Sequence, residues 1–143
     1  MRKYFIILIL LVCSLFAYGQ SEPGNNLGSS LASMRQKFPE LRYLKTDEKG
    51  EEYEDGYPTD GIASFFYFRN GRVVEECMIC QATDGFPYQW YLSLCNSFST
   101  SYYRALKVNK RFYKQYVFSF FNINIIFASE NGVNTALIQY ETN

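Results

Sequence analysis

Two Asn-Gly pairs constrain the fold of this chain more than any other feature of its sequence. Asn70-Gly71 and Asn131-Gly132 each lie between runs that are rich in aromatic and β-branched residues. Asn and Gly both tolerate the positive φ that a tight turn between antiparallel strands requires, so each pair predicts a β-hairpin. The strands predicted from these runs and from two further ones cover residues 41–45, 65–68, 72–82, 112–121, 123–128 and 135–140.

Two other segments repeat apolar residues at helical spacing, which predicts helices over residues 27–37 and 87–103. Asn25 or Asn26 can cap the first helix, and Pro39 ends it by disfavouring helical geometry at the preceding residue. The apolar positions are Leu27, Leu31, Met34 and Phe38 in the first helix and Tyr91, Cys95, Phe98 and Tyr102 in the second.

The element order of helix, strands, helix, strands predicts an α+β domain. We expect an antiparallel sheet built from the Asn-Gly hairpins, with both helices packed on one face. Residues 46–60 are polar and acid-rich, and they predict either a ragged hairpin through Glu48-Lys49-Gly50 or a loop. The basic stretch over residues 104–114 is expected to be a solvated turn, with a patch for an anionic ligand or a partner as the alternative.

The N-terminus has the pattern of a cleavable export signal. Two basic residues precede an apolar run over residues 4–17, and small residues at Ala17 and Gly19 suit cleavage after Gly19. The run is shorter than the roughly 20 residues of a membrane-spanning helix. We therefore predict a signal peptide over 1–19, a flexible leader over 20–26 and a single domain over 27–143.

The predicted location is the periplasm or the cell surface, with no transmembrane segment in the mature chain. Lipid anchoring at Cys13 is disfavoured because the bulky Val12 precedes it and apolar sequence continues beyond it. Without its first 19 residues the chain has 12 basic and 14 acidic residues, a net charge of −2. This balance argues against nucleic acid as a partner. An envelope protein or a glycan remains the expected partner.

The chain of 143 residues contains no histidine. This absence excludes the usual Ser-His-Asp and Cys-His catalytic groups and the His-containing zinc sites. An enzyme built on this chain would have to use carboxylates, Tyr, Lys or Cys, and no catalytic motif is recognisable. We therefore predict no enzymatic activity, no catalytic residues, no metal site and no cofactor.

Three cysteines follow the predicted cleavage site, and an exported protein can form disulfides. Cys77 and Cys80 have C-x-x-C spacing but lie in a predicted strand, where residues three apart point to opposite faces. We therefore expect buried strand thiols rather than a redox pair, with one disulfide from Cys95 to either Cys77 or Cys80.

Half of the fourteen acidic residues lie between Asp47 and Asp60. Oxygen-rich clusters can bind Ca²⁺, but Lys49 and Tyr53 interrupt the spacing of a calcium loop. A solvated loop is expected, with a weak calcium site or an acidic surface for a basic partner as alternatives.

Aromatic residues are abundant, with thirteen Tyr and thirteen Phe. Most are expected to build the core, whereas exposed aromatic residues concentrate binding energy at interfaces. Tyr88, Trp90 and Tyr103 are the candidate ligand or partner residues.

Three features together resemble small exported α+β proteins of Bacteroidota that have no assigned activity. They are the predicted helix ending at Phe38-Pro39, the hairpin segment Phe68-Arg69-Asn70-Gly71 and the signal ending Ala17-Tyr18-Gly19-Gln20. The element order also resembles the helix-plus-sheet repeats of beta-lactamase inhibitory proteins. Neither resemblance supplies a motif that transfers a functional residue, and a shared fold alone does not give function.

The leading hypothesis is an exported, non-catalytic binding or inhibitor-type module. One alternative is a carboxylate-dependent hydrolase that acts on glycans or peptidoglycan, which requires two converging carboxyl groups. Another is a structural component of the cell envelope, which predicts a large exposed apolar patch.

Overall fold

The structure is a computed structural model that describes residues 26–143. The predicted signal peptide, Cys13 and leader residues 20–25 lie outside the described residues. The helices are α1 (Leu31–Lys37) and α2 (Phe86–Ser101), and 3-10 turns form at Pro58–Asp60 and Tyr103–Ala105. The strands are β1 (Arg42–Asp47), β2 (Gly50–Asp55), β3 (Ala63–Arg69), β4 (Arg72–Ala82), β5 (Leu106–Lys110), β6 (Tyr113–Val117), β7 (Phe121–Glu130) and β8 (Val133–Thr142).

All eight strands form one antiparallel sheet in the order β1-β2-β3-β4-β8-β7-β6-β5. The predicted α+β class and antiparallel sheet are confirmed. Each half of the described chain consists of a helix followed by four strands, and the pairing of β4 with β8 joins the two halves. This central pair positions the candidate site.

The first helix begins later than predicted. It starts at Leu31, and its cap is Ser30, whose side chain accepts a hydrogen bond from the backbone N–H of Ser33, rather than Asn25 or Asn26. The preceding residues bond to β4 instead, since the backbone N–H of Gly28 donates to Val73 at 2.8 Å. Gly28 has a φ of +82°, which is incompatible with a right-handed helix. The apolar pattern, which starts at Leu27, therefore predicted too early a start for this helix.

The turns between strands depend on residues that adopt a positive φ. Asn70 and Gly71 have φ of 52° and 72° between β3 and β4, and Asn131 and Gly132 have 51° and 78° between β7 and β8. Gly50 is constrained by space as well, because a Cβ there would lie 2.1 Å from the backbone oxygen of Phe68.

Two polar stretches contain β-strands that their composition did not predict. The acid-rich stretch forms the hairpin β1–β2, with the 3-10 turn after it. The basic stretch is not a solvated turn, because Leu106–Lys110 forms the edge strand β5 and pairs with β6. Edge strands tolerate charged side chains because one side of the ladder faces solvent. The charged residues of β5 therefore did not form a pattern that predicts a strand.

The core consists of two clusters between the sheet and the helices. Met34 of α1 packs with Phe66 and Val73, and Tyr91 of α2 packs in a cluster that includes Ile123 and Ile138. Leu27 contacts both clusters and bridges the two halves. Full burial of one such side chain contributes about 1.5–3 kcal/mol.

Candidate binding surface

Both helices pack against side chains that the strand register places on one face of the sheet. Met34 of α1 contacts the cluster that contains Phe66, and Phe66 lies opposite Glu76 on β4. Tyr91 of α2 contacts the cluster that contains Ile138. Residues directly opposite each other across a ladder share a face, and successive residues alternate between faces. We call the other face, on which neither α1 nor α2 packs, the helix-free face.

A hydrogen-bond network centred on Asn124 occupies the middle of the helix-free face. The Asn124 side chain is 6% exposed, and its Oδ1 accepts from Tyr113 Oη at 3.0 Å and from Gln115 Nε2 at 3.1 Å. Its Nδ2 donates to Gln139 Oε1 at 3.0 Å and to Glu141 Oε1 at 3.1 Å. All four hydrogen-bonding positions of this amide are therefore used, which fixes the side chains around it.

The network continues to a pair of carboxylates on the central strands β4 and β8. Gln139 Nε2 donates to Glu75 Oε1 at 2.7 Å. Glu75 lies directly opposite Glu141 in the pairing of β4 with β8, and Glu141 lies opposite Asn122 on β7. We call Glu75, Glu141 and Asn122 the acceptor row. Like charges directly opposite each other on a sheet are destabilising, so this arrangement has an energetic cost.

Two other glutamates on the helix-free face are paired with cations. Glu54 Oε2 lies 2.8 Å from Arg42 Nη2, and Glu52 Oε2 lies 3.5 Å from Lys45 Nζ. Glu52 also accepts from Tyr67 Oη at 2.9 Å. Burial raises the pKa of Tyr67, and this hydrogen bond raises it further. Tyr67 therefore stays neutral beside Glu75, its partner across β3 and β4.

An apolar row crosses the helix-free face next to the polar network. It contains one residue from each of the adjacent strands β3, β4, β8, β7 and β6, which are, in that order, Ala63, Ile79, Leu137, Ile126 and Tyr113. The first is fully buried and the other four are half-buried. The 3-10 turn Pro58–Asp60 packs against β4, and a cleft of about 460 Å³ opens at this end of the sheet between Thr59 and Gln81.

The sequence-predicted aromatic residues lie elsewhere and are not brought together. Tyr88 and Trp90 are half-buried on α2 against the core, and the Tyr88 ring lies 5.1 Å from that of Phe127. Tyr103 follows the other end of α2 and is 61% exposed beside Arg104. Phe120, which sequence reasoning did not single out, is 83% exposed between β6 and β7.

The cysteines do not form the expected disulfide, since Cys77, Cys80 and Cys95 are all free thiols in the structure. Cys77 and Cys80 lie on opposite faces, as predicted, because they pair with Gln139 and Ala136 respectively. Burial raises the pKa of Cys77 to about 12, with Glu75 adding to the effect. This thiol therefore remains protonated, which argues against redox chemistry.

Cys95 of α2 packs against the core cluster that contains Cys80 of β4. Burial raises the pKa of both thiols, but the other groups that influence them differ. Tyr91 and Lys114 act on Cys95, whereas Asp84 and the backbone of Ala136 act on Cys80.

The helix-covered face contains one buried carboxylate. Glu76 is 7% exposed, and its Oε1 accepts from Asn26 Nδ2 at 2.8 Å. Asn26, which ends the predicted leader, is itself 5% exposed and accepts from Lys37 Nζ at 2.5 Å. Burial raises the pKa of Glu76, and the bond from Asn26 and the charge of Lys37 oppose this rise. The network holds residue 26 against the core.

Two further classes of site were searched within residues 26–143. No group of three or more His, Cys, Asp or Glu in that range is arranged to hold a metal ion. No helix in the same part of the chain has the length and apolar character needed to cross a membrane.

Comparison with known proteins gives no match to a family model, to a curated protein or to a solved structure. The functional argument therefore depends on the chemistry of the helix-free face.

Sequence reasoning did not find this face. Side chains that are bonded to each other on this face come from distant parts of the chain, such as Gln139 and Glu75, which are 64 positions apart. The alternation of Glu75, Cys77 and Ile79 was the available signal. It indicates which residues share a face, but the partner strand comes only from the topology.

Proposed function

We propose that this chain is an exported, non-catalytic binding or inhibitor-type module that docks a partner protein on its helix-free face. The observation that carries the proposal is the apolar row, because apolar residues on a sheet face are ordinarily buried under a second layer. Here both described helices lie on the other face, and Ile79, Leu137 and Ile126 stay half-buried. A partner would supply the missing layer.

The surroundings of the apolar row support the same proposal. Protein interfaces combine an apolar centre, in which aromatic residues are enriched, with a polar rim. Tyr113 ends the apolar row, and Tyr67 lies opposite Glu75 on the same face. The Asn124 network fixes the adjacent polar side chains, so little side-chain freedom is lost on docking.

The export part of the proposal has a direct test. The full chain is expressed in a bacterium, and the protein recovered outside the cytoplasm is analysed by mass spectrometry. We expect a mass that corresponds to a chain beginning at Gln20. Retention of the intact chain in the cytoplasm would contradict export, and a lipid-modified Cys13 would contradict the absence of an anchor.

One observation favours a second candidate, a glycan or peptidoglycan hydrolase. Glu75 and Glu141 are directly opposite on paired strands, where Cα atoms lie about 4.5–5.5 Å apart. Glycosidases use two carboxylates that flank the scissile bond, and they need one as an acid and the other as a nucleophile or base. In this pair both carboxylates accept an amide hydrogen bond, so the structure does not distinguish an acid from a nucleophile or base.

A hydrolysis assay separates the two candidates. The exported protein is incubated with peptidoglycan and with a panel of soluble glycans, and released fragments are measured by chromatography. We expect no release above that of the Glu75→Gln variant. Saturable release that Glu75→Gln abolishes would replace the binding proposal with the hydrolase.

A further inference from the structure

The turn between β6 and β7 presents an aromatic side chain to solvent. Phe120 is 83% exposed, more than any other large apolar side chain of the described residues. Val117, which ends β6, and Tyr103, which follows α2, are also exposed. Single exposed apolar residues are common, whereas a group of them marks an interaction site. We call residues 118–121 the Phe120 turn.

The Phe120 turn is fixed by hydrogen bonds of its backbone. The N–H of Phe118 donates to the oxygen of Phe121 at 3.0 Å, and the N–H of Asn143 donates to the oxygen of Phe120 at 3.1 Å. Asn143 Nδ2 donates to the backbone oxygens of Phe118 and Ser119 at 3.0 and 3.2 Å. The stacked rings of Phe118 and Phe121 pack on the core, so Phe120 alone projects. A fixed turn loses little conformational freedom when it binds.

The 3-10 turn Tyr103–Ala105 lies beside the Phe120 turn, because the preceding Tyr102 ring contacts Phe118 with centroids 5.5 Å apart. Arg104 of this 3-10 turn is exposed, and its guanidinium lies 5.6 Å from the centroid of the Tyr103 ring. It forms no ion pair with a carboxylate of the described residues. An arginine and a tyrosine therefore flank the projecting phenylalanine.

Two more exposed arginines belong to the same end of the sheet. Arg69 and Arg72 flank the β3–β4 turn. Arg72 begins β4, two strand spacings or roughly 10 Å from the start of β7. Both side chains donate to backbone oxygens, and neither has a carboxylate partner within residues 26–143. Their positive charges are therefore uncompensated.

The acids near this end point away from the Phe120 turn or lie far from it. Glu141 and Glu75 accept hydrogen bonds from Asn124 and Gln139, which lie two residues further from this end of the sheet. The acids of the β1–β2 hairpin are at least four strand spacings, roughly 19 Å, from β7. The surroundings of the projecting phenylalanine are therefore positively charged.

We propose that this end of the sheet binds an anionic phospholipid surface, with Phe120 inserted into it. At a membrane interface aromatic side chains enter the boundary between headgroups and acyl chains, and arginines contact lipid phosphates. Phe120 and Tyr103 supply the first chemistry, and Arg104, Arg69 and Arg72 supply the second. A projecting turn enters a fluid bilayer without the matching pocket that a protein partner would have to provide.

This inference goes beyond the proposed function, because it uses an end of the sheet and not the helix-free face. With Phe120 in the bilayer, the strands would run roughly along the membrane normal. The helix-free face would then remain accessible to a partner protein, so either proposal can fail without the other.

The experiment measures partitioning onto lipid vesicles with the full-length chain as processed on export. One set of vesicles contains phosphatidylcholine alone, and the other contains equal parts of phosphatidylcholine and phosphatidylglycerol. Bound protein is measured by co-sedimentation. We expect the anionic vesicles to bind at least about tenfold more protein at equal lipid, and added salt to weaken this preference.

Two pairs of substitutions locate the contact. Phe120→Ser should lower the partition coefficient about tenfold, the equivalent of about 1.4 kcal/mol. Phe86→Ser removes a 49% exposed phenylalanine at the opposite end of the sheet and should leave partitioning unchanged. Arg104→Gln should lower binding to anionic vesicles about fivefold. Arg111→Gln removes an arginine that likewise lies over an aromatic ring, at the opposite end, and should have no effect.

Insertion has a readout of its own in a variant that keeps an aromatic ring. Tryptophan fluorescence of Phe120→Trp should shift to the blue on anionic vesicles and be quenched by brominated lipids, whereas Phe86→Trp should show neither change. All six variants alter exposed side chains, so their melting temperatures should match that of the unchanged protein.

Three results would overturn the inference. The first is no preference for anionic vesicles, and the second is an equal loss of binding in Phe120→Ser and Phe86→Ser. The third is a Phe120→Trp fluorophore that brominated lipids do not quench. If vesicles do not bind and a photoreactive phenylalanine at position 120 gives a discrete protein adduct in cells, the Phe120 turn is a protein contact instead.

Discussion

The two faces of the central strand pair show how one sequence serves two environments. On the helix-covered face, β4 and β8 contribute Cys80, Ala136 and Ile138, which are at most 1% exposed. On the helix-free face the alternating residues include Glu75, Gln139 and Glu141, which are half-buried and linked by amide hydrogen bonds. The covered face is held mainly by apolar burial, whereas the helix-free face is held by hydrogen bonds and includes an unfavourable charge pair.

This difference indicates that the helix-covered face provides stability, whereas the helix-free face contains features that reduce it. A face shaped only for folding would avoid opposed carboxylates and an unpaired buried oxygen, since both cost stability. Such departures from favourable local interactions are typical of functional or strained sites. Four substitutions or substitution pairs test the contrast, in order of expected effect.

Ile138 and Leu137 are neighbours in β8 that point to opposite faces. Ile138→Ala should lower the free energy of unfolding by about 3 kcal/mol, because it leaves a cavity in a site with 0% exposure. Leu137→Ala should cost about 1 kcal/mol, since the side chain is only half-buried. Urea denaturation measures both values, and equal losses would show that the two faces are equally packed.

Asn124 and Asn122 compare a satisfied amide with an unsatisfied one on the helix-free face. Asn124→Ala removes four hydrogen bonds and should cost about 2 kcal/mol. Asn122→Ala removes an unpaired acceptor and should change stability by no more than about 0.5 kcal/mol. The reverse order in chemical denaturation would contradict the described network.

Glu76 tests the helix-covered face, because its pKa is raised above the ordinary value of 4.5 in the folded protein. A carboxyl with a raised folded pKa contributes stability below its unfolded pKa, and this contribution is lost as pH rises through the folded pKa. Glu76→Gln keeps an acceptor for Asn26 without the buried charge. It should stabilise the protein by on the order of 1 kcal/mol near neutral pH, with little gain at about pH 4.

Thermal melts across this pH range, with Glu48→Gln as the exposed control, measure the effect of Glu76. A destabilised Glu76→Gln protein near neutral pH would show that Lys37 and Asn26 compensate the buried charge fully.

The smallest effect is expected for Glu141→Gln, which removes one charge of the opposed pair on the helix-free face. The variant should gain a few tenths to about 1 kcal/mol of stability, because the repulsion with Glu75 disappears. The gain should shrink in high salt, which screens charges on accessible surfaces. A loss of stability in the melt would mean that the described chain already balances this charge.

The sequence predicts local structure well where one residue type has one physical role. The positive φ of the Asn-Gly residues, the helical spacing around Tyr91 and Phe98, and the end of α1 before Pro39 are local features that need no partner strand. The start of α1 was predicted too early because the hydrogen bond from Gly28 to Val73 joins residues that are 45 positions apart.

The candidate site could not be predicted for the same reason. The charge pair of Glu75 and Glu141 depends on the pairing of β4 with β8, which joins the two halves of the sheet. The aromatic residues predicted to bind a ligand or partner lie in or next to α2, whereas Tyr67 and Tyr113 lie on strands of the helix-free face. Surfaces built across strands become visible only once the register is known.

Photocrosslinking tests the central claim, that a partner docks on the helix-free face, most directly. A photoreactive phenylalanine replaces either Tyr67 on that face or Leu92, which is 42% exposed on α2, and the protein is irradiated in the cells that produce it. The account predicts a discrete adduct from the Tyr67 position that excess unmodified protein competes away, and none from Leu92. An adduct from Leu92 alone, or from neither position, would contradict it.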